Sequence, residues 1–150
     1  MGHSGLLTIL SEVGWELKKF ESSKHFTSWL GLSPNVQKSG GRILSSKTRK
    51  NNSIAAQAFR QAANSVGNMK NHPLNSFFRR IAIRRDRINA IVATARKLAV
   101  IYFNMITKQE DFNYIPNEEY EKRIRQKQVN RIKKLIEQYK LKPQELEFAA

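Results

Sequence analysis

The chain contains no cysteine, so neither a disulfide framework nor a thiolate nucleophile is available to it. Its three histidines, His3, His25 and His72, have no ligand-like spacing, which removes the zinc-site class and leaves no expected metal ligands. Carboxylates are scarce in the middle: between Glu21 and Glu110 the only one is Asp86. Magnesium needs several hard oxygen ligands, so the central region of one chain cannot assemble a magnesium centre by itself. Long hydrophobic runs are missing too. None approaches the roughly 18–20 residues that span a bilayer, and the N-terminus lacks the layout of a signal peptide. A soluble, intracellular chain with no membrane partner is expected.

What is present is positive charge. Against 12 Asp and Glu stand 27 Lys and Arg, a formal charge of +15 over 150 residues. That excess goes far beyond what solubility requires and makes polyanions the expected partners. Three stretches hold five, seven and nine of the 27 basic residues. The first has Lys38, Arg42, Lys47, Arg49 and Lys50; the second runs from Arg79 through Arg80, Arg84, Arg85, Arg87 and Arg96 to Lys97; the third lies between Lys122 and Lys142.

Hydrophobic residues, 40% of the chain, suffice for a modest core without metal or disulfides. Their spacing is helical. Leu6 to Val13 reads as a short helix ending near Gly14, with Trp15, Leu17 and Phe20 as further apolar anchors. Ser22 or Ser23 caps a second helix carrying Phe26, Trp29 and Leu30, which Gly31 and Ser33-Pro34 stop. Residues Asn35 to Thr48 mix Pro, Asn, Gly and Ser with basic side chains, the composition of an exposed connection, with no convincing strand pair. Asn52 or Ser53 caps a longer helix to about Asn68, with Ile54, Ala55, Ala58, Phe59, Ala62 and Val66 at helical spacing.

Pro73 suits the first turn of the next helix, with Leu74, Phe77, Phe78 and Ile81 inward. Asp86 caps its successor, Arg87 to about Thr107, apolar on most sides and so expected to be the central, most buried element. Asn117, with Glu118 and Glu119 opposing the helix dipole, starts a last basic helix reaching about Lys140. Val129, Ile132, Ile136 and Tyr139 follow a 3-4-3 spacing over only about two heptads, which leaves pairing with another chain and docking equally open. The expected fold is all-α: a helical domain over 1–114 and a basic tail helix over 115–150, about five to six helices in total.

The residue order now becomes recognisable. Gly5-Leu-Leu-Thr-Ile-Leu-Ser-Glu-Val-Gly14, Lys24-His-Phe-Thr-Ser-Trp-Leu-Gly-Leu-Ser-Pro34, and Lys38-Ser-Gly-Gly41 with Leu44-Ser-Ser-Lys-Thr-Arg-Lys50 resemble the C-terminal domain of insertion sequence 110/116/902-type transposases. Phe77-Phe-Arg-Arg80, Ala90-Ile-Val-Ala-Thr-Ala-Arg-Lys-Leu-Ala99 and the Tyr120 to Lys134 segment extend the resemblance. Gly2-His-Ser-Gly5 resembles the family's glycine hairpin, which offers backbone amides to a phosphate. By this resemblance, Ser39 is the serine that attacks the DNA backbone in transposition and recombination. A RuvC-like acidic half, outside these residues, holds magnesium, and an element-encoded bridge RNA selects donor and target. The implied location is cytoplasmic and nucleoid-associated.

The residues by themselves support that assignment to different degrees. Ser-Gly-Gly is a common turn, so the triplet alone reads as a plain loop, and only the resemblance singles out Ser39. Gly40 and Gly41 leave room for a DNA backbone, while Lys38, Arg42, Lys47, Arg49 and Lys50 suit phosphate contact. Arg79, Arg80, Arg84 and Arg85 form a second basic face, and Arg87 continues it. Trp15, Trp29, Phe77, Phe78 and Tyr102 are expected in the core rather than on bases. Expected partners are DNA, the bridge RNA, a RuvC-like domain or full-length protomer, and a second copy. The competing functional reading is a noncatalytic nucleic-acid-binding remnant of a mobile element.

Overall fold

The computed structural model describes residues 2–109, 111–112 and 116–140. They fall into two units, Met1–Tyr114 and Ile115–Ala150, each taken by itself below. In the first unit, short polar side chains start the helices. Helix α1 (His3–Val13) buries Ile9 and Val13, four residues apart on one face, and stops at Gly14 with φ +76°. It begins three residues before the expected Leu6. The Gly2 carbonyl accepts from Leu6 N at 3.2 Å, so Gly5 lies inside the first helical turns and the stretch Gly2 to Gly5 forms no glycine hairpin. A 3-10 turn, Leu17–Lys19, buries Leu17 and leads to α2 (Ser23–Trp29). Ser22 caps α2 by accepting from His25 N at 3.3 Å.

Helix α3 (Ile54–Asn68) has two caps from different parts of the chain. Ser53 Oγ accepts from Ala56 N at 3.0 Å, and the Glu12 carboxylate on α1 accepts from Ala55 N. The second bond places a negative charge at the positive end of the α3 dipole and ties α1 to α3. Helix α4 (Asn75–Arg84) starts later than expected, with Leu74 as its N-cap and Pro73 outside the first turn. The reason is His72, whose ring Nδ1 accepts from Leu74 N at 3.1 Å while its carbonyl accepts from Asn75 N at 2.8 Å. Buried Asn75 then donates to the Val66 carbonyl at 3.0 Å, closing the end of α3. Asp86 caps α5 (Arg87–Lys108) by accepting from Asn89 N at 2.6 Å, and these bonds hold its carboxyl below the usual range.

Alanines decide how close the helices come. Ala55, Ala56 and Ala63 on α3 and Ala90, Ala95 and Ala99 on α5 are all fully buried, and α5 packs against α2, α3 and α4. Phe26, Phe59, Tyr102 and Phe103 fill the space that the alanines leave, with ring centroids 5.8 Å apart for both Phe59–Tyr102 and Phe26–Phe103. Helix α5 is central by these contacts, although Ile88 at its start is exposed. By length and composition alone α5 is also apolar enough to cross a membrane; its alanine face is spent on the core. Trp15 was expected inside. It is 73% exposed, because Gly14 ends α1 before a helical face can carry the indole inward.

Residues expected to form an irregular connection instead contain two strands, β1 (Gln37–Ser39) and β2 (Arg42–Ser45), paired antiparallel. The architecture is otherwise all-α. In the second unit, α6 (Asn117–Tyr139) has Glu118 and Glu119 in its first turn and an Arg123–Glu119 ion pair at 2.6 Å, one turn apart. Val129, Ile132, Leu135 and Tyr139 are exposed along it. Lys142, the last residue of the third basic stretch of the sequence, lies outside the described residues.

Candidate nucleic-acid interface

The hairpin is fastened to the helical core at its base. Gly31, with φ +65°, leaves so little room that a Cβ there would meet Asn51 Cβ at 2.7 Å. Asn51 uses that approach: its Nδ2 donates to the Trp29 carbonyl at 2.7 Å, and its Oδ1 accepts from Ser53 N at 2.9 Å. The end of α2 and the start of α3 are thereby held side by side. Above this clasp Asn35 N donates to the Lys47 carbonyl at 3.0 Å, and Pro34 bridges Thr48.

At the far end the chain reverses through Gly40 and Gly41, with φ of +53° and +75°. Two successive positive φ values are what a two-residue type I′ hairpin turn needs, and glycine supplies them without strain. The Gly-Gly pair was therefore a hairpin signal that the loop-like composition hid. Ser39 pairs with Arg42 and Lys38 with Ile43, and a register shift beside Gln37 leaves Leu44 as the extra residue of a bulge. Directly opposed residues share a face of the ladder, so Ser39 and Arg42 lie on one side and Lys38 on the other. All of these residues are exposed. The tip thus presents a hydroxyl and a guanidinium together beside two glycines that block nothing.

Below the hairpin, residues 46–52 run between two recesses. The smaller, about 320 Å³, is polar and formed by Thr48, Arg49, Lys50, Asn51, Asn52 and, from α3, Arg60. It gathers three cations, Arg49, Lys50 and Arg60, and no carboxylate is among its described lining residues. Arg60 gave no sign in the sequence because a single cation on an alanine-rich helix carries no local signal. The larger recess is a cleft of about 810 Å³, with Leu32, Pro34, Phe77, Ile88, Val92 and Val100 as its apolar lining and Lys47, Arg96 and Lys97 as its cations. Lys97 Nζ stands 4.5 Å from the centre of the Phe77 ring, with Arg80 5.8 Å from the same ring. Burial, and then the charge of Arg80, hold the Lys97 amine below its ordinary value.

The expected basic residues are therefore not one surface. Lys38 and Arg42 occupy the two faces of the hairpin, Lys47 the cleft, and Arg49 and Lys50 the polar recess. Arg80 reaches the ring at the cleft, whereas Arg79, Arg84 and Arg85 are exposed on or just after α4 and line neither recess. Arg87 braces the fold instead, donating to Asn64 and Asn68 on α3 at 2.7 and 2.8 Å and lying over the Phe78 ring. Phe78 and Tyr102 are buried, as expected, while Trp29 is partly open at 44%. Among the described residues no group of three or more His, Cys, Asp or Glu side chains comes together to hold a metal ion.

Neither curated proteins nor solved structures match this chain. The profile of the transposase IS116/IS110/IS902 family does, over residues 1–79, a span that takes in the whole hairpin, the polar recess and part of the cleft. The chain belongs to that transposase family.

Proposed function

We propose that this member of the transposase family is its DNA-engaging helical part and that Ser39 is a nucleophile in strand exchange. The observation that carries the reading is the Ser39–Arg42 pair at an exposed glycine tip, inside the span that matches the family. In the proposed step, Ser39 Oγ forms a bond to the phosphorus of a DNA phosphodiester while the bond from phosphorus to one deoxyribose oxygen breaks. The hydroxyl proton is taken up by a base, and the departing oxygen leaves as an alcohol once protonated. Arg42, on the same face, offsets the charge that grows on the phosphoryl oxygens, and Gly40 and Gly41 let the backbone approach. Lys38, Arg49 and Lys50 hold flanking phosphates, and Arg79, Arg80, Arg84 and Arg85 extend the contact.

The described residues do not themselves supply a magnesium site, so the base and any metal ion are assigned to a RuvC-like acidic half, in the same polypeptide or another protomer. A bridge RNA is the proposed guide, with the basic α6 as its contact. The test is strand exchange with that acidic half supplied: Ser39→Ala is expected to abolish exchange and the covalent protein–DNA intermediate while leaving DNA affinity intact. Exchange undiminished in Ser39→Ala would remove the serine role. The scarcity of carboxylates favours one rival, a noncatalytic nucleic-acid module, which the same assay reveals by binding without exchange.

A further inference from the structure

We propose that residues 46–52 form the ridge of a clamp for a single unpaired nucleotide, with its phosphate in the Arg49–Lys50–Arg60 recess and its base in the cleft beside Phe77 and Val92. The proposal rests on the nucleic-acid reading of the chain but not on the role of Ser39. Its basis is the adjacency of two sites with opposite chemistry: Thr48 lines both the polar recess and the apolar cleft.

Three cations, Arg49, Lys50 and Arg60, beside Thr48 and Asn52 and with no described carboxylate, suit a phosphate, which is compact and fully charged. The cleft suits it less well, because Leu32, Pro34, Phe77, Ile88, Val92 and Val100 surround its cations with apolar lining that a fully charged group would have to lose water to enter. A nucleobase is flat, uncharged and bears polar edges only at its rim, which is what an apolar cleft with Thr48, Ser46 and Asn89 at its polar positions accepts. Its volume of about 810 Å³ exceeds what one base needs. Two residues of chain reach at most about 7 Å, so Thr48 and Lys50 lie no farther apart than that along the ridge, within the span of one nucleotide from phosphate to base.

A base stacked inside a duplex cannot enter the cleft, so the ligand is an unpaired or flipped nucleotide. Lys47, Arg96 and Lys97 at the cleft give it the sign that attracts the neighbouring backbone. An acidic amphipathic peptide would satisfy the cleft alone. The cationic recess across the ridge favours the nucleotide.

Fluorescence anisotropy of the full chain with a paired duplex, the same duplex carrying one extrahelical thymine, and a glutamate- and leucine-rich peptide tests the proposal. The bulged duplex is expected to bind about tenfold more tightly than the paired one. Val92→Trp, which fills the cleft, abolishes that preference and leaves paired-duplex affinity unchanged. Ile88→Glu, at a position 75% exposed and therefore tolerant of change, also abolishes the preference by placing a carboxylate at the cleft, while weakening the paired duplex only as far as one added negative charge does. Arg60→Ala weakens both duplexes and lowers the salt slope by about one counterion. Equal affinity for the two duplexes overturns the clamp while the nucleic-acid reading stands; no affinity for either duplex overturns both. Peptide binding that Val92→Trp removes while the bulge preference persists also overturns the clamp.

Discussion

Two regions of the first unit are built from small residues and use them in opposite ways. On α3 and α5, Ala55, Ala56, Ala63, Ala95 and Ala99 are fully buried. At the hairpin tip, Ser39, Gly40 and Gly41 are exposed to solvent. A small side chain on a helix lets two backbones approach and shut water out, whereas the glycines at positive φ, Gly40 and Gly41, let the chain turn sharply and leave the backbone open to a ligand. What the small residue achieves is set by the backbone on which it sits. The apolar residues divide in the same way: Phe59 is fully buried, while Ile43 and Leu44 on β2 are 62% and 69% exposed.

The sharpest way to break this contrast is to remove the ring at the centre of the core. Phe59→Ala is expected to cost about 3–5 kcal/mol of unfolding free energy by urea titration, whereas Ile43→Ala stays within about 0.5 kcal/mol. Similar losses at the two positions would mean that the hairpin is part of the core. A smaller and more local effect follows from the turn. Replacing Gly40 and Gly41 by alanine forces side chains into left-handed backbone at about 1–2 kcal/mol for each residue. Amide protection in β1 and β2 should fall and strand exchange with it, with protection in α3 and α5 retained; protection lost throughout would contradict the separation.

The mildest effect comes from pH. Burial lowers the pKa of His72 in the folded chain from the ordinary 6.5, so the unfolded chain binds the proton first. The stability tied to the neutral ring is fully present above about 6.5 and is lost as pH falls from there toward the folded value. Calorimetry should show the melting temperature drifting down over that window. His72→Asn, which keeps an acceptor for the Leu74 amide, should flatten the drift, and an unaltered pH profile would show that His72 is not its source.

Much of the helical scaffold was legible because its signals are local. Ser22, Ser53 and Asp86 cap the helices that their positions announced, and the apolar periodicity of α3 and α5 identified part of their inner faces, with Phe59, Val66, Ala95 and Ala99 buried but Ile54, Ile88 and Met105 exposed. The hairpin was less legible. Its strands are three and four residues long and almost wholly exposed, so no alternation of polar and apolar residues marked them, and the Gly40-Gly41 turn signal stood inside a basic, loop-like composition. The helix start at His3 and the exposure of Trp15 were missed where a glycine was weighed without its backbone angle.

The sequence by itself determined the helical class, most helix starts, the surplus of positive charge and the motifs that mark the transposase family, since each depends on residues a few positions apart or on composition. Only the tertiary structure decided which cations lie together. Arg60 joins Arg49 and Lys50, Arg96 and Lys97 join Lys47, and Arg87 donates to an asparagine pair on α3. Those groupings arise where separate helices and the hairpin base converge, and the charge of a site is a sum over neighbours in space that spacing along the chain does not record.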